Sequence, residues 1–377
     1  MTAPRAGADG GTADRGGPAP PDPVHDAGAG WEAAYGSVTR APRDDRRDLF
    51  LAAAARLGTP LGNVEKDFWV CWTLAALFRS RTANEPRLLF KGGTSLSKAY
   101  GLIERFSEDV DVTVFRDDLG APASVEALAA LSGKKRQARL DAIRDACRAY
   151  VTGPLRSALA ARVADATDGA GRVTVDPADP DGQSLLVAYP TIETAVDPYV
   201  RPVVRIESGA KSALEPHRAA TVRPYVAGEL PAAAASGLTV GGVLTIEPAR
   251  TFWDKVVIAH GLRRWYERRG ALRQEGQRVS RHYYDLHRLS QADVGRAALA
   301  DWMLGADCVR HARVFFDRPD FDLASARPGT FALAPAPGMV EALARDYAAM
   351  TPMIFGRAPA FAEVLTTIRE IEGAVNA

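Results

Sequence analysis

The segment Lys91–Val114, KGGTSLSKAYGLIERFSEDVDVTV, constrains this chain more than any other stretch. Its last six residues, D-V-D-V-T-V, alternate polar and apolar side chains, the period-2 pattern of a strand with one wet face. Asp109 and Asp111 therefore project from one face, while Val110, Val112 and Val114 anchor the other. Two carboxylates that close repel each other, and burial would raise the pKa of one sharply. A divalent cation between them removes the conflict, and hard oxygen donors suit Mg²⁺ or Mn²⁺. An ordinary solvent-facing strand edge also accommodates D-x-D, so the pair needs support from its surroundings.

That support lies just upstream. Leu88-Leu89-Phe90 reads as a short buried strand, followed by Gly92-Gly93, then Thr94 and Ser95 opening a short helix over residues 95–100. Glycines let backbone approach a ligand closely, and free N–H groups at a helix start favour anionic oxygens. Strand, glycine turn, helix and D-x-D strand, in that order, set a phosphate cradle beside a metal-binding pair.

The rest of the chain reads as an α+β protein. Residues 1–40 are rich in Gly, Ala, Pro and Asp and are expected to be disordered, with order beginning near Asp44. Helices are expected from there and over about Val64–Arg79, and an Ala-rich helical stretch over about Val125–Val163. Strand-like runs return at Ser184–Ala188, Pro202–Glu207 and Ala220–Val226; from Pro248 onward the pattern is mostly helical. The expected organisation is a disordered segment (1–40), a mixed-sheet core with N-terminal helices (41–245) and a helical C-terminal domain (246–377). Lys+Arg total 47 against Asp+Glu 46 in 377 residues, so no global basic excess announces a nucleic-acid binder. The three cysteines have no CxxC spacing, which suits a reducing compartment better than a disulfide framework or a zinc site. Neither a signal-peptide run nor an apolar stretch of ~18 residues occurs, so a soluble cytoplasmic protein with no membrane association is expected.

The glycine turn and the D-x-D strand resemble the polymerase-β-type nucleotidyltransferase superfamily, whose pattern is hG[GS] followed by Dh[DE]h. Within it, Lys91–Val114 is similar to the AbiEii/AbiGii toxin family of bacterial toxin–antitoxin and phage-defence pairs. EKDFWV (Glu65–Val70), VRIESGAKS (Val204–Ser212), ARTFWDKVVIAH (Ala249–His260), RHYYDLHRL (Arg281–Leu289) and Asp346–Leu365 agree with it. The gap from Gly93 to Asp109 is slightly longer than the superfamily's usual spacing but is as this toxin family has it.

The resemblance implies a polymerase-β-type core with a mixed sheet and a helical C-terminal half. It implies NTP as substrate, with Gly92, Gly93, Thr94, Ser95 and Lys98 as the expected phosphate contacts; Arg105, just before the D-x-D strand, is a further candidate, with a structural salt bridge as its plain alternative. Asp109 and Asp111 are the implied catalytic metal ligands, and Lys255 and Asp285 the catalytic residues that complete the cleft. Glu207, on the strand-like V-V-R-I-E, is a further candidate metal ligand, with pairing to Arg205 or Lys211 as its plain alternative. An i,i+4 pair with Arg281 is the plain alternative for Asp285.

The implied activity is transfer of an NMP to an acceptor, a tRNA 3′ end above all, blocking translation and growth, with a cognate antitoxin encoded nearby. NMP or phosphate transfer to a protein hydroxyl is a second reading, and a non-catalytic nucleotide-binding or partner-binding protein a third. His260, His282 and His287 have no metal-ligand spacing, and the tryptophans at helical spacing read as core. The arginine run from Arg263 to Arg278 reads as a solvated loop, or as backbone contacts if the acceptor is RNA.

Overall fold

A computed structural model of the chain describes residues 30–193, 201–273 and 278–377. Three helices come first: α1 (Gly30–Thr39), α2 (Arg43–Leu57) and α3 (Leu61–Phe78). Then follow β1 (Leu88–Lys91), α4 (Gly92–Lys98) and β2 (Asp109–Val114). Helices α5 (Val125–Ala129), α6 (Gly133–Tyr150) and α7 (Arg156–Ala166) lead to β3 (Arg172–Val175), β4 (Ser184–Ala188), β5 (Val203–Gly209) and β6 (His217–Val222). After α8 (Ala232–Gly237) and β7 (Val240–Ile246) the chain is helical: α9 (Pro248–Arg269), α10 (Arg281–Gln291), α11 (Asp293–Ala300), α12 (Trp302–Phe315), α13 (Pro337–Met350) and α14 (Phe361–Asn376).

The strands form one mixed sheet in the order β3-β4-β5-β2-β1-β7-β6. β2 lies at its centre, antiparallel to β1 and parallel to β5, which fixes the carboxylate strand from both sides. The α+β architecture and the helical second half are as expected from the residues.

Helix α3 is buried along almost its whole length. Its apolar members account for most of that, but Glu65, Lys66 and Asp67 are buried too, and buried charges must be paired. Each has a different partner. Glu65 accepts from the Thr191 hydroxyl (2.6 Å) and the Ile192 N–H (2.9 Å), Lys66 pairs with Glu108 (2.5 Å), and Asp67 with Lys98 (2.6 Å). One helix thus ties down the residue before β2 and the end of α4.

Two expectations are corrected. Order does not wait until Asp44: Gly30–Thr39 is helical, because Trp31 and Tyr35 are buried against Trp72 and Phe68, and Tyr35 donates to the Leu238 carbonyl (3.0 Å). Residues 1–29, the rest of the segment expected to be disordered, lie outside the described residues. The last strand-like run forms its strand earlier, at His217–Val222, where it pairs with β7.

Helix α9 starts with Pro248 at its first position and stops at Gly270 in the left-handed conformation, the usual Pro-in, Gly-out asymmetry. Two large apolar cores result among the described residues, beside a small cluster of Leu89, Phe115 and Ile246. One underlies the sheet with α3; the other joins α9, α10, α13 and α14. Each reaches across residue 245: Val314 and Phe315 belong to the first, Leu96 and Ile103 to the second. We propose that the chain divides near residue 245 into two lobes that share their cores. Backbone bonds join them further, Phe106 N–H to the Met353 carbonyl (2.7 Å) and Phe355 N–H to the Glu104 carbonyl (2.8 Å).

Candidate functional site

The glycine turn, the start of β2 and the facing helices α9 and α10 meet between the two cores. Asp111 stands beside Lys91 on one side and Glu207 on the other in the strand register. Lys91 Nζ is 3.7 Å from Asp111 Oδ1. Asp109 is largely buried, and burial together with the charges of Glu207, Glu108 and Asp111 pushes its carboxyl up to about 7. Burial and Asp111 likewise raise Glu207. Three carboxylates on neighbouring strand positions thus hold more negative charge than their protein surroundings neutralise.

The donor set fits a hard divalent cation at Asp109 and Asp111. Glu207 makes an ion pair with Arg205, which is itself 2.8 Å from Asp176. In this arrangement Glu207 has the alternative partner foreseen for it. Among the described residues no three acidic, His or Cys side chains close into a complete metal cage.

Both glycines are required by the side chains packed on them. Gly92 has φ +78°, and a β-carbon there would collide with the Asp111 carboxylate. A β-carbon on Gly93 would collide with the Arg105 guanidinium. Thr94 and Ser95 are fully buried: Thr94 Oγ1 donates to the Asp109 carbonyl (2.5 Å) and lies 2.7 Å from Ser107 Oγ, and Ser95 Oγ donates to the Gly92 carbonyl (2.9 Å). Their hydroxyls hold the turn to β2, which leaves backbone N–H groups as the means of touching an anion there.

Arg105, Lys255 and Asp285 form one buried group. Asp285 has no exposed side-chain surface and accepts from Arg105 Nε (2.8 Å) and Nη2 (2.9 Å), while Lys255 Nζ is 2.8 Å from its second oxygen. Burial alone would raise Asp285; the two cations hold it well below the ordinary carboxylate range. Burial lowers Lys255, with Asp285 opposing and Arg105 adding to the fall. The group has one net positive charge, and Arg105 is near enough to Asp111 to feel its field.

Several sequence expectations find other settings. Lys98 is not at the turn; its ammonium lies 2.6 Å from Asp67 and 3.7 Å from the Tyr225 ring centroid. Asp285 pairs with Arg105 and Lys255 rather than Arg281. The arginine run is mostly engaged within the chain: Arg263 and Arg264 on Glu267, Arg269 on Asp320, Arg278 on Glu108, and Arg273 over Phe321. Residues 274–277 of that run lie outside the described residues.

Sequence reasoning missed Lys91 and Arg281 as site members. Arg281, at the start of α10, has no ion pair among the described residues, and its charge reaches Glu207 and Lys255. The signal for it was available: a basic residue one helical turn before Asp285, freed once that carboxylate is taken by others.

Residues 75–367 match the family described as nucleotidyl transferase AbiEii toxin, type IV TA system. Among solved structures, MenT4, a nucleotidyltransferase toxin from Mycobacterium tuberculosis, is similar at 17% identity and a TM-score of 0.36, covering 86% of this chain and 97% of that one. A comparison with curated proteins gives no match. The matched span is well over half of the chain and contains the glycine turn, the D-x-D strand, Lys255 and Asp285. The chain belongs to the AbiEii family of nucleotidyltransferase toxins of type IV toxin–antitoxin systems, and is an NTP-dependent nucleotidyltransferase.

Proposed function

We propose that this toxin transfers an NMP, in the presence of Mg²⁺ or Mn²⁺, to the 3′ end of tRNA, and so halts translation and growth until its antitoxin, encoded nearby, restrains it. Its setting in this reading is the cytoplasm, in defence against phage. The observation that supports the chemistry is the placement of Asp109 and Asp111 on one strand face, directly beside a turn whose only free polar groups are backbone.

In this reading Asp109 and Asp111 hold the cation, with Glu207 available once it leaves Arg205. A bound divalent ion would polarise the α-phosphate and offset its developing charge. Gly92–Ser95 set the triphosphate by backbone N–H groups, without the Lys98 side chain. Lys255 places a fixed positive charge over the cleft, in a water-poor setting where such a charge stabilises transferring phosphate most effectively. Asp285 acts as a positioning residue, holding Lys255 and Arg105 in place.

The test is label transfer. With α-labelled and γ-labelled NTPs, Mg²⁺ and total tRNA, the α label is expected to move onto tRNA and the γ label to stay off it. Transfer of γ label, or of α label to protein alone, would overturn the proposal.

Arg281 supplies a second prediction. An unpaired guanidinium beside Glu207 and Lys255 is positioned to hold triphosphate oxygens. Arg281→Ala is expected to raise KM for NTP by roughly 10-fold or more, the size of a lost charged hydrogen bond, with kcat changed less than about threefold. Steady-state kinetics at varied NTP decides it: a fall in kcat at constant KM would remove Arg281 from that role.

A further inference from the structure

A second cationic hollow lies on the flank of α4, at the other end of that helix from the glycine turn. It has a volume of about 450 Å³, and its wall includes Arg56, Lys98 and Arg223 with the hydroxyl-bearing Ser97, Thr221 and Thr239. Among the described residues no carboxylate lines it. The two acidic groups nearby each balance one cation, Glu229 on Arg56 (2.5 Å) and Asp67 on Lys98 (2.6 Å). Arg223 has no ion-pair or hydrogen-bond partner among the described residues, so the hollow keeps one uncompensated positive charge.

Two features show that these cations are placed rather than merely present. Lys98 has a side chain only 4% exposed and is fixed between Asp67 and the Tyr225 ring. Arg56 donates to the Tyr225 carbonyl (3.0 Å), and its guanidinium lies against Gly228, where a β-carbon would come within 2.9 Å of Nη2. A lysine is seldom fully buried unless paired, as Lys98 is with Asp67, so the free charge of the hollow is that of Arg223, and planar guanidinium groups match phosphate oxygens.

We infer that this hollow is a phosphate-binding site, distinct from the cleft at Asp109, that takes a phosphate group borne either by a small anion or by a polynucleotide backbone. Arg223 and Arg56 grip the phosphate oxygens and the Thr221 hydroxyl donates a hydrogen bond, while Lys98, balanced by Asp67, forms part of the wall. Occupancy is felt at the cleft along two short routes. Lys98 ends the helix that begins with the glycine turn. Tyr225 packs edge-on against Phe355, whose N–H bonds the Glu104 carbonyl next to Arg105. The inference is independent of the acceptor proposed above, because it rests on binding alone.

The experiment uses the full chain in EDTA, so that no divalent ion recruits phosphate to the carboxylates. Thermal unfolding is followed against inorganic pyrophosphate and, separately, against a short RNA blocked by a 3′-phosphate. Wild type is expected to gain stability, and Arg223→Glu to need at least about tenfold more ligand for the same gain. Thr221→Glu, two residues earlier on β6, is expected to behave likewise, and both variants keep the wild-type unfolding temperature when neither probe is added. An Arg223-dependent response to pyrophosphate alone assigns the site to a small anion; a response to RNA alone assigns it to a polynucleotide backbone. Equal responses of wild type and both variants, or no response of wild type to either probe, overturn the inference.

Discussion

Replacing Asp109 with Asn is expected to abolish nucleotide transfer and, at the same time, to stabilise the metal-free protein at neutral pH. Loss of a ligand to the catalytic cation should lower kcat by about 10³-fold or more, the scale seen when charge stabilisation at a transferring group is removed. The stability effect has the opposite sign. Burial, with Glu207, Glu108 and Asp111 close by, pushes Asp109 up to about 7 from an ordinary value of 3.8. The folded chain therefore holds a proton that the unfolded chain releases, and stability falls as pH rises from about 4 to about 7. Asn has no proton to lose, so the variant escapes that decline. Unfolding temperatures measured in EDTA from pH 4 to 8 should fall for wild type and run flatter for Asp109→Asn. Adding Mg²⁺ should restore wild type and leave the variant unchanged. Parallel curves for the two proteins, or transfer that survives the substitution, would refute this account.

Asp285→Ala should produce the largest loss of stability of any single change at the site. It leaves Arg105 and Lys255 buried, like-charged and without their shared counter-ion. Breaking a buried pair from one side typically costs about 3–5 kcal/mol, because the remaining charge has neither water nor partner. Lys255→Met offers the contrast: it removes a cation but leaves Asp285 with both Arg105 contacts. Its stability loss should be markedly smaller, while transfer activity falls as far as for Asp285→Ala. Urea unfolding of the two variants measures the difference. Equal, small losses in both would show that Asp285 does not hold the cations, and its role would have to be direct.

The centre of the fold was legible because its signals are local. D-V-D-V-T-V declares a strand, and Gly92-Gly93 declares a turn that no other residue fits, now traceable to the side chains of Asp111 and Arg105. Helix α9 was announced by Pro248 and a long apolar periodicity. What could not be read depends on distant partners. Trp31 and Tyr35 form a helix only because Trp72, Phe68 and Leu238 receive them, the last 203 residues away from Tyr35. β7 was hidden by Gly241 and Gly242, the second with φ +71°, and β3 by being a four-residue edge strand with an exposed pattern. Lys98 looked like a phosphate ligand from its place after the turn; Asp67, a full helix earlier in the chain, decides otherwise. Asp285 invited an i,i+4 pairing, and the actual partners lie 180 and 30 positions upstream, Arg105 and Lys255.

The backbone bonds that tie residues 104–106 to residues 353–355 also have a consequence for the timing of synthesis. Both glycines of the turn and the carboxylates of Asp109, Asp111 and Glu207 are in place in the chain once residue 207 is made. Arg105 still awaits Asp285, and the loop that holds it awaits Ile354. A nascent chain therefore cannot complete this part of the site until residues 353–355 have been made.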